Sequence, residues 1–194
     1  MLRIVIIFNE TLTNPKSTAS RLLGLNLNSI TVMQAGIFVS ICSTILTYLF
    51  LNLIASNISN GAVGANEVLT EVLKYIASIQ PIYFAANQIF QMLLFAAIMT
   101  LGGRIFNGKG TFFNALLCVT SVELILLLLK VVQLVLLPIS MLLSFAVIIP
   151  GVIWSLWAFA SMAAFIHGFK STFLTFCGGF AFSFFILIFL RLFY

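Results

Sequence analysis

The sequence has no aspartate, a single histidine (His167), and only four acidic residues, all glutamate. Without aspartate no Ser-His-Asp relay can be assembled, and one imidazole cannot supply a bis-histidine haem site within one chain. The glutamates Glu10, Glu67, Glu71 and Glu123 set up no carboxylate pair for hydrolytic acid–base work. Cysteine is scarce too. Cys42, Cys118 and Cys177 each lie alone in an apolar run, and with no CxxC spacing neither a zinc site nor a dithiol pair is expected. Charged residues make up 7% of the 194 residues, against about a quarter in an ordinary soluble domain. Nine Lys and Arg dispersed over the whole length form no stripe for nucleic acid. The expectation is a non-enzyme without cofactor, metal or nucleic-acid partner.

What the chain has instead is hydrocarbon. Hydrophobic residues reach 62%, phenylalanine alone accounts for 21 positions, and mean hydropathy is +1.23. A soluble surface could not hide that many rings, so the composition points to a membrane protein. A helix crossing the ~30 Å hydrocarbon core needs roughly 20 apolar residues. Five segments qualify: about Ile30–Ile54, Pro81–Gly102, Phe112–Leu137, Ser140–His167 and Thr172–Leu192. The fourth is overlong and contains Pro150-Gly151, so a bend or a separate short piece is expected. The fold class is therefore all-α, a polytopic membrane helical bundle with five transmembrane helices. Residues 1–29 form a cytoplasmic or interfacial N-terminal segment and 30–194 the membrane domain. The start, MLRIVIIFNE, has a short apolar part and no small-residue cleavage site, and is read as retained.

Orientation follows from basic residues in the short connections. Arg3, Lys16, Arg21, Arg104, Lys109 and Lys170 fall on one side, Lys74 and Arg191 on the other, with Lys130 inside a span. The six belong in the cytoplasm. This places the N-terminus inside and the C-terminus outside, in the periplasm if the membrane is a bacterial inner membrane. Tyr48, Tyr83 and Tyr194 then fall near outer ends of spans, where amphipathic rings prefer the interface. Two short amphipathic helices are expected besides the spans. In TNPKSTASRLLGLNLN, Asn14 is the N-cap and Pro15 the first helical residue, with Leu22, Leu23 and Leu25 dipping into the interface. ANEVLTEVLKYIASIQ repeats Val68, Val72, Ile76 and Ile79 at helical spacing, as a lid in the first outer loop.

In lipid, helices associate where small residues let backbones approach. Such residues recur every four positions as Gly36, Ser40 and Thr44 in span one and as Ala160, Ala164 and Gly168 ending span four. In span five the stripe is Ser171, Thr175, Gly179 and Ser183, set among phenylalanines. These stripes are expected to mark packing faces, with the Phe-rich remainder turned to lipid.

Three places carry candidate chemistry. GGRIFNGKGT nearly matches the phosphate-loop pattern GxxxxGK[ST], but Gly110 replaces the hydroxyl residue needed for magnesium and no strand precedes it. A tight cytoplasmic turn presenting Arg104 and Lys109 is the better reading. His167, with Lys170, lies at the same face and is expected to cap or bond a neighbouring loop. Glu123 lies about eleven residues into span three, where an ionised carboxylate costs at least ~2.5 kcal/mol. Lys130 is seven residues on, on the same helical face but ~10 Å of rise away, too far for a close ion pair and free to snorkel outward. Span two offers Asn87, Gln88 and Gln91, of which Gln91 falls nearest in depth to Glu123. A buried polar contact between spans two and three is expected, either as structural glue or as part of an ion or proton path.

The stretches ETLTNPKSTASRLL, GGRIFNGKGTFFNALLCV and FIHGF, the last followed by a final span, resemble the Yip family in order and spacing. Those membrane proteins take their name from interaction with Ypt/Rab GTPases, and the likeness is greatest to short bacterial members, alphaproteobacterial ones in particular. The resemblance covers about Thr11 to Leu192. It implies five spans, a cytoplasmic N-terminus and membrane residence. It also implies a non-catalytic scaffold or adaptor that binds membrane lipids, protein partners or further copies of itself. A small transporter or channel with Glu123 on its pathway is the alternative.

Overall fold

The computed structural model describes residues 9–59, 71, 75 and 80–192. Among these every regular element is helical. A helical turn at 9–13 leads into α1 (Pro15–Gly24). Then come α2 (Ser29–Ser59), α3 (Pro81–Ile105), α4 (Phe112–Leu136), α5 (Met141–Ala146), α6 (Ile148–His167) and α7 (Thr172–Leu192). The starts are written in the sequence. Asn14, Thr111, Ser140 and Ser171 each turn a side-chain oxygen onto a free N–H three residues on. Asn28 does the same for Thr31 N–H at 2.7 Å. Pro15 and Pro81 occupy first-turn positions, where no N–H is needed.

Four helical stretches are long and apolar enough to cross a membrane: Ser29–Ser56, Pro81–Ile105, Phe112–Leu136 and Met141–His167. The chain is thus a membrane-embedded helical bundle. In α7 the apolar stretch with described side chains, Thr172–Phe182, is shorter than a span. The overlong fourth segment divides into α5 and α6. The break falls before Pro150 because a proline in the first turn of α6 removes no hydrogen bond, whereas inside a continuous helix it would. Ser144 ties the short piece back, donating its hydroxyl to the Gln133 carbonyl of α4 at 2.8 Å.

The central element is α4, packed against α1, α2, α3, α5 and α6. Its Ala115, Leu116, Cys118, Val119 and Val122 are fully buried. The opposite condition holds outside: Phe38, Phe90, Leu142, Ile149, Phe173 and Phe180 are exposed, as a lipid-facing surface requires.

The stripe on α2 is a packing face. Gly36, Ser40 and Thr44 are buried, and a Cβ on Gly36 would collide with the Met92 side chain of α3. On α6, Ala160 and Ala164 are buried, but Gly168 is exposed at φ 75° and ends the helix in a left-handed turn. Its smallness serves backbone conformation. The stripe on α7 is not a packing face either. Thr175 is half-buried, Gly179 is exposed, and a Cβ on Gly179 would meet nothing within 4 Å; the side chain of Ser183 lies outside the described residues. These α7 positions border an open groove.

The N-terminal segment departs from the interfacial helix expected of it. Pro15, Thr18 and Ala19 of α1 are buried and α1 packs on α6 and α4. Trp154 Nε1 donates to the Leu12 carbonyl at 3.0 Å, thirteen residue steps from His167, or about 20 Å along α6. Glu10 folds back to pair with Arg21 at 3.1 Å. The reason is a further stripe, the compact Pro15, Thr18 and Ala19 with Leu22 at i, i+3, i+4, i+7, which lets α1 enter the bundle as a wall. Leu22 and Leu23 pack against the core, and Leu25 is exposed. Of the loop helix expected within 65–80, Glu71 and Tyr75 are helical and exposed, and the rest lies outside the described residues apart from Gln80.

Candidate functional site

Two half-buried ionisable side chains divide between two neighbours of α4. Gln88 Nε2 on α3 donates to Glu123 Oε2 at 3.3 Å. Lys130 Nζ donates to Ser43 Oγ at 2.5 Å and Thr47 Oγ1 at 3.1 Å, both on α2. The partner of Glu123 is Gln88 rather than Gln91, and Lys130 is held inside the bundle rather than reaching outward.

The correction comes from angular phase. Residues advance 100° each around a helix, so Gln88 lies 40° from Met92 whereas Gln91 lies 100° from it. Met92 marks the inward face. It is buried, and its sulfur accepts the hydroxyls of Ser40 and Thr120 at 3.8 Å each. Gln88, Met92, Ala96 and Thr100 form one inward stripe, while Asn87 and Gln91 are exposed on another face. That stripe was visible in the sequence. So was the hydroxyl ladder Ser40, Ser43, Thr44 and Thr47 on α2, whose Ser43 and Thr47 receive the lysine. Depth alone was the wrong guide.

At the opposite end of α4, where Arg104, Lys109 and Lys170 are exposed (the basic end), the α3–α4 turn and the end of α6 converge on His167. The ring is buried. Its Nδ1 accepts the Gly110 N–H at 3.1 Å, so the proton sits on Nε2, which donates to the Met99 carbonyl at 3.0 Å. Phe169 stacks on it with centroids 5.5 Å apart. Nδ1 is engaged through its lone pair and Nε2 through its proton, so neither nitrogen is open to a metal.

The ring also explains the glycines. A Cβ on Gly103, Gly108 or Gly110 would fall within the imidazole's own volume. The α3 terminus closes with Gly108 N–H on the Gly103 carbonyl at 2.8 Å and Asn107 N–H on the Arg104 carbonyl at 3.0 Å, Asn107 standing at φ 59°. The same pair of bonds closes α6, from Phe169 to Ala164 at 2.7 Å and Gly168 to Phe165 at 3.1 Å. GGRIFNGKGT is therefore a socket for His167. Its Gly108 and Gly110 amides, which a phosphate loop would aim at its ligand, bond within the protein.

Among the described residues no group of three His, Cys, Asp or Glu is placed to hold a metal ion. Cys42, Cys118 and Cys177 are free thiols, half-buried, buried and exposed respectively. A cavity of about 690 Å³ lies between α3, α6 and α7.

No family model, curated protein or solved structure matches this chain.

Proposed function

We propose that this chain is a non-catalytic membrane scaffold or adaptor, with five spans, a cytoplasmic N-terminus and a periplasmic C-terminus in a bacterial inner membrane. The observation that carries the reading is the use to which its buried and half-buried polar groups are put. Glu123 ties α4 to α3, Lys130 ties α4 to α2, and His167 ties α6 to the α3–α4 turn. Each is a cross-helix contact of the kind that holds membrane bundles together, where small residues and polar pairs replace the hydrophobic drive. Glu123 and Lys130 also address different neighbours, so they do not line one shared channel between the same two helices.

The resemblance of ETLTNPKSTASRLL, GGRIFNGKGTFFNALLCV and FIHGF to the Yip family supports the same assignment, with α7 as the fifth span. The six basic residues gathered toward one side support the orientation. What such a molecule offers is its surface: lipids and protein partners, or another copy of itself, are its natural ligands.

Reconstitution into liposomes separates this reading from transport. Wild-type protein is expected to pass protons and alkali cations no faster than empty liposomes. A flux lost in Glu123→Gln, with helicity intact, would sink the scaffold reading in favour of an ion or proton path.

A further inference from the structure

The cavity of about 690 Å³ has one wall from each of three helices. On α3 and its cap the wall runs from Phe95 to Phe106, on α6 from Leu156 to His167, and on α7 and its cap from Ser171 to Phe182. Each wall covers eleven residue steps, about 16 Å of rise. That is close to half of the ~30 Å hydrocarbon thickness, the depth of one leaflet. The hydroxyls in the α7 wall are already engaged within the helix. Ser171 Oγ accepts the Leu174 N–H at 3.3 Å, and Thr175 Oγ1 donates to the Ser171 carbonyl at 2.8 Å. Apart from His167, Lys170, Ser171 and Thr175, what lines the groove is apolar side chains and glycine.

The ends differ in charge. Lys170 lines the mouth at the basic end and is exposed, and the exposed Arg104 adjoins the lining residue Gly103. Among the described residues no glutamate lines the groove. A largely apolar slot one leaflet deep, opening beside cations with no carboxylate among its described lining residues, matches a molecule with a hydrocarbon tail and an anionic head.

We infer that this groove holds an acyl chain of an anionic phospholipid, with the phosphate at Lys170. The inference rests on reading the long helices as membrane spans and is independent of the scaffold role. It gives the open α7 stripe a purpose: Gly179 leaves room for the chain, where a packing face would have been filled.

The test is native mass spectrometry of delipidated protein in detergent, with dioleoyl phosphatidylglycerol and dioleoyl phosphatidylcholine added in equal amounts. Wild type is expected to retain the anionic lipid at least about fivefold over the zwitterionic one. Lys170→Ala should lower that preference by about fivefold, the equivalent of roughly 1 kcal/mol for one basic residue at an anionic surface. Gly179→Leu, whose Cβ would meet nothing within 4 Å, should fill the groove and remove both adducts while helicity is kept. Ala163→Leu on the α6 wall is the second filling variant. Equal retention of the two lipids by wild type, or full retention of the anionic lipid by both filling variants, overturns the inference. A dimer in wild type that Gly179→Leu converts to monomer, without lipid loss, would assign the groove to a second copy instead. A chain that stays soluble without detergent would defeat the membrane reading itself, a separate outcome.

Discussion

His167 joins three pieces of chain through one ring: the α6 terminus that carries it, the Met99 carbonyl in α3 and the Gly110 amide before α4. Replacing it with phenylalanine keeps a flat ring but strands the buried Gly110 N–H, a loss of ~1–3 kcal/mol. His167→Phe should therefore lower the thermal unfolding midpoint in detergent, and an unchanged midpoint would remove the ring from the account. The glycines give a sharper test because the sign can reverse. Within a helix Gly→Ala normally stabilises by up to ~1 kcal/mol. Gly179→Ala in α7 should follow that rule, since its Cβ meets nothing. Gly103→Ala in α3 should destabilise, since its Cβ would enter the His167 ring. The same midpoint measurement reads both, and a gain in both would show that the socket is not tight. Spacing alone revealed GGRIFNGKGT as a turn; that its glycines fit a histidine 57 residues on was not legible, because close approach leaves no local pattern.

Among the elements, four of the five expected spans were readable from hydropathy and caps as long apolar helices, and the bounds expected for α3 and α4 differ from those observed by three residues at most. Segment length and composition act locally, so a single sequence carries them. The rotation of each helix about its axis is set by its neighbours, and there the reading by depth chose Gln91 over Gln88. The α7 stripe failed for a related reason: small residues mark any place that must stay open, a groove as well as a helix contact. In α1 the three leucines signal an interfacial helix, whereas the residues buried against the bundle are the compact Pro15, Thr18 and Ala19. Ala19→Leu distinguishes the two placements. In a packed α1 it overfills the contact with α6 and costs ~1–3 kcal/mol, so α1 becomes cleavable by protease at a lower denaturant concentration. In a helix lying on the membrane surface the added methylenes would strengthen its hold, and protection would rise.

At the scale of the molecule, buried polarity and surface apolarity divide the labour. The interior carries the directional contacts, while the exterior carries phenylalanine and leucine that lipid tolerates in any orientation. Sidedness is then a matter of the basic end. With Lys109→Cys or Lys170→Cys in a background lacking the native thiols, a membrane-impermeant thiol reagent should label inverted vesicles and leave intact spheroplasts unlabelled. Labelling of spheroplasts would invert the proposed orientation without touching the bundle.

The claim that the intramembrane polar groups exist to tie helices together is tested most directly by a double-mutant cycle on the α3–α4 contact. Gln88→Leu, Glu123→Leu and the double variant would be unfolded in mixed micelles. Polar contacts between membrane helices contribute ~0.6 kcal/mol on average and up to ~1.7 kcal/mol. The account predicts that the double variant loses less than the sum of the singles by an amount in that range. Strictly additive losses, or a Glu123→Leu protein as stable as wild type, would contradict it.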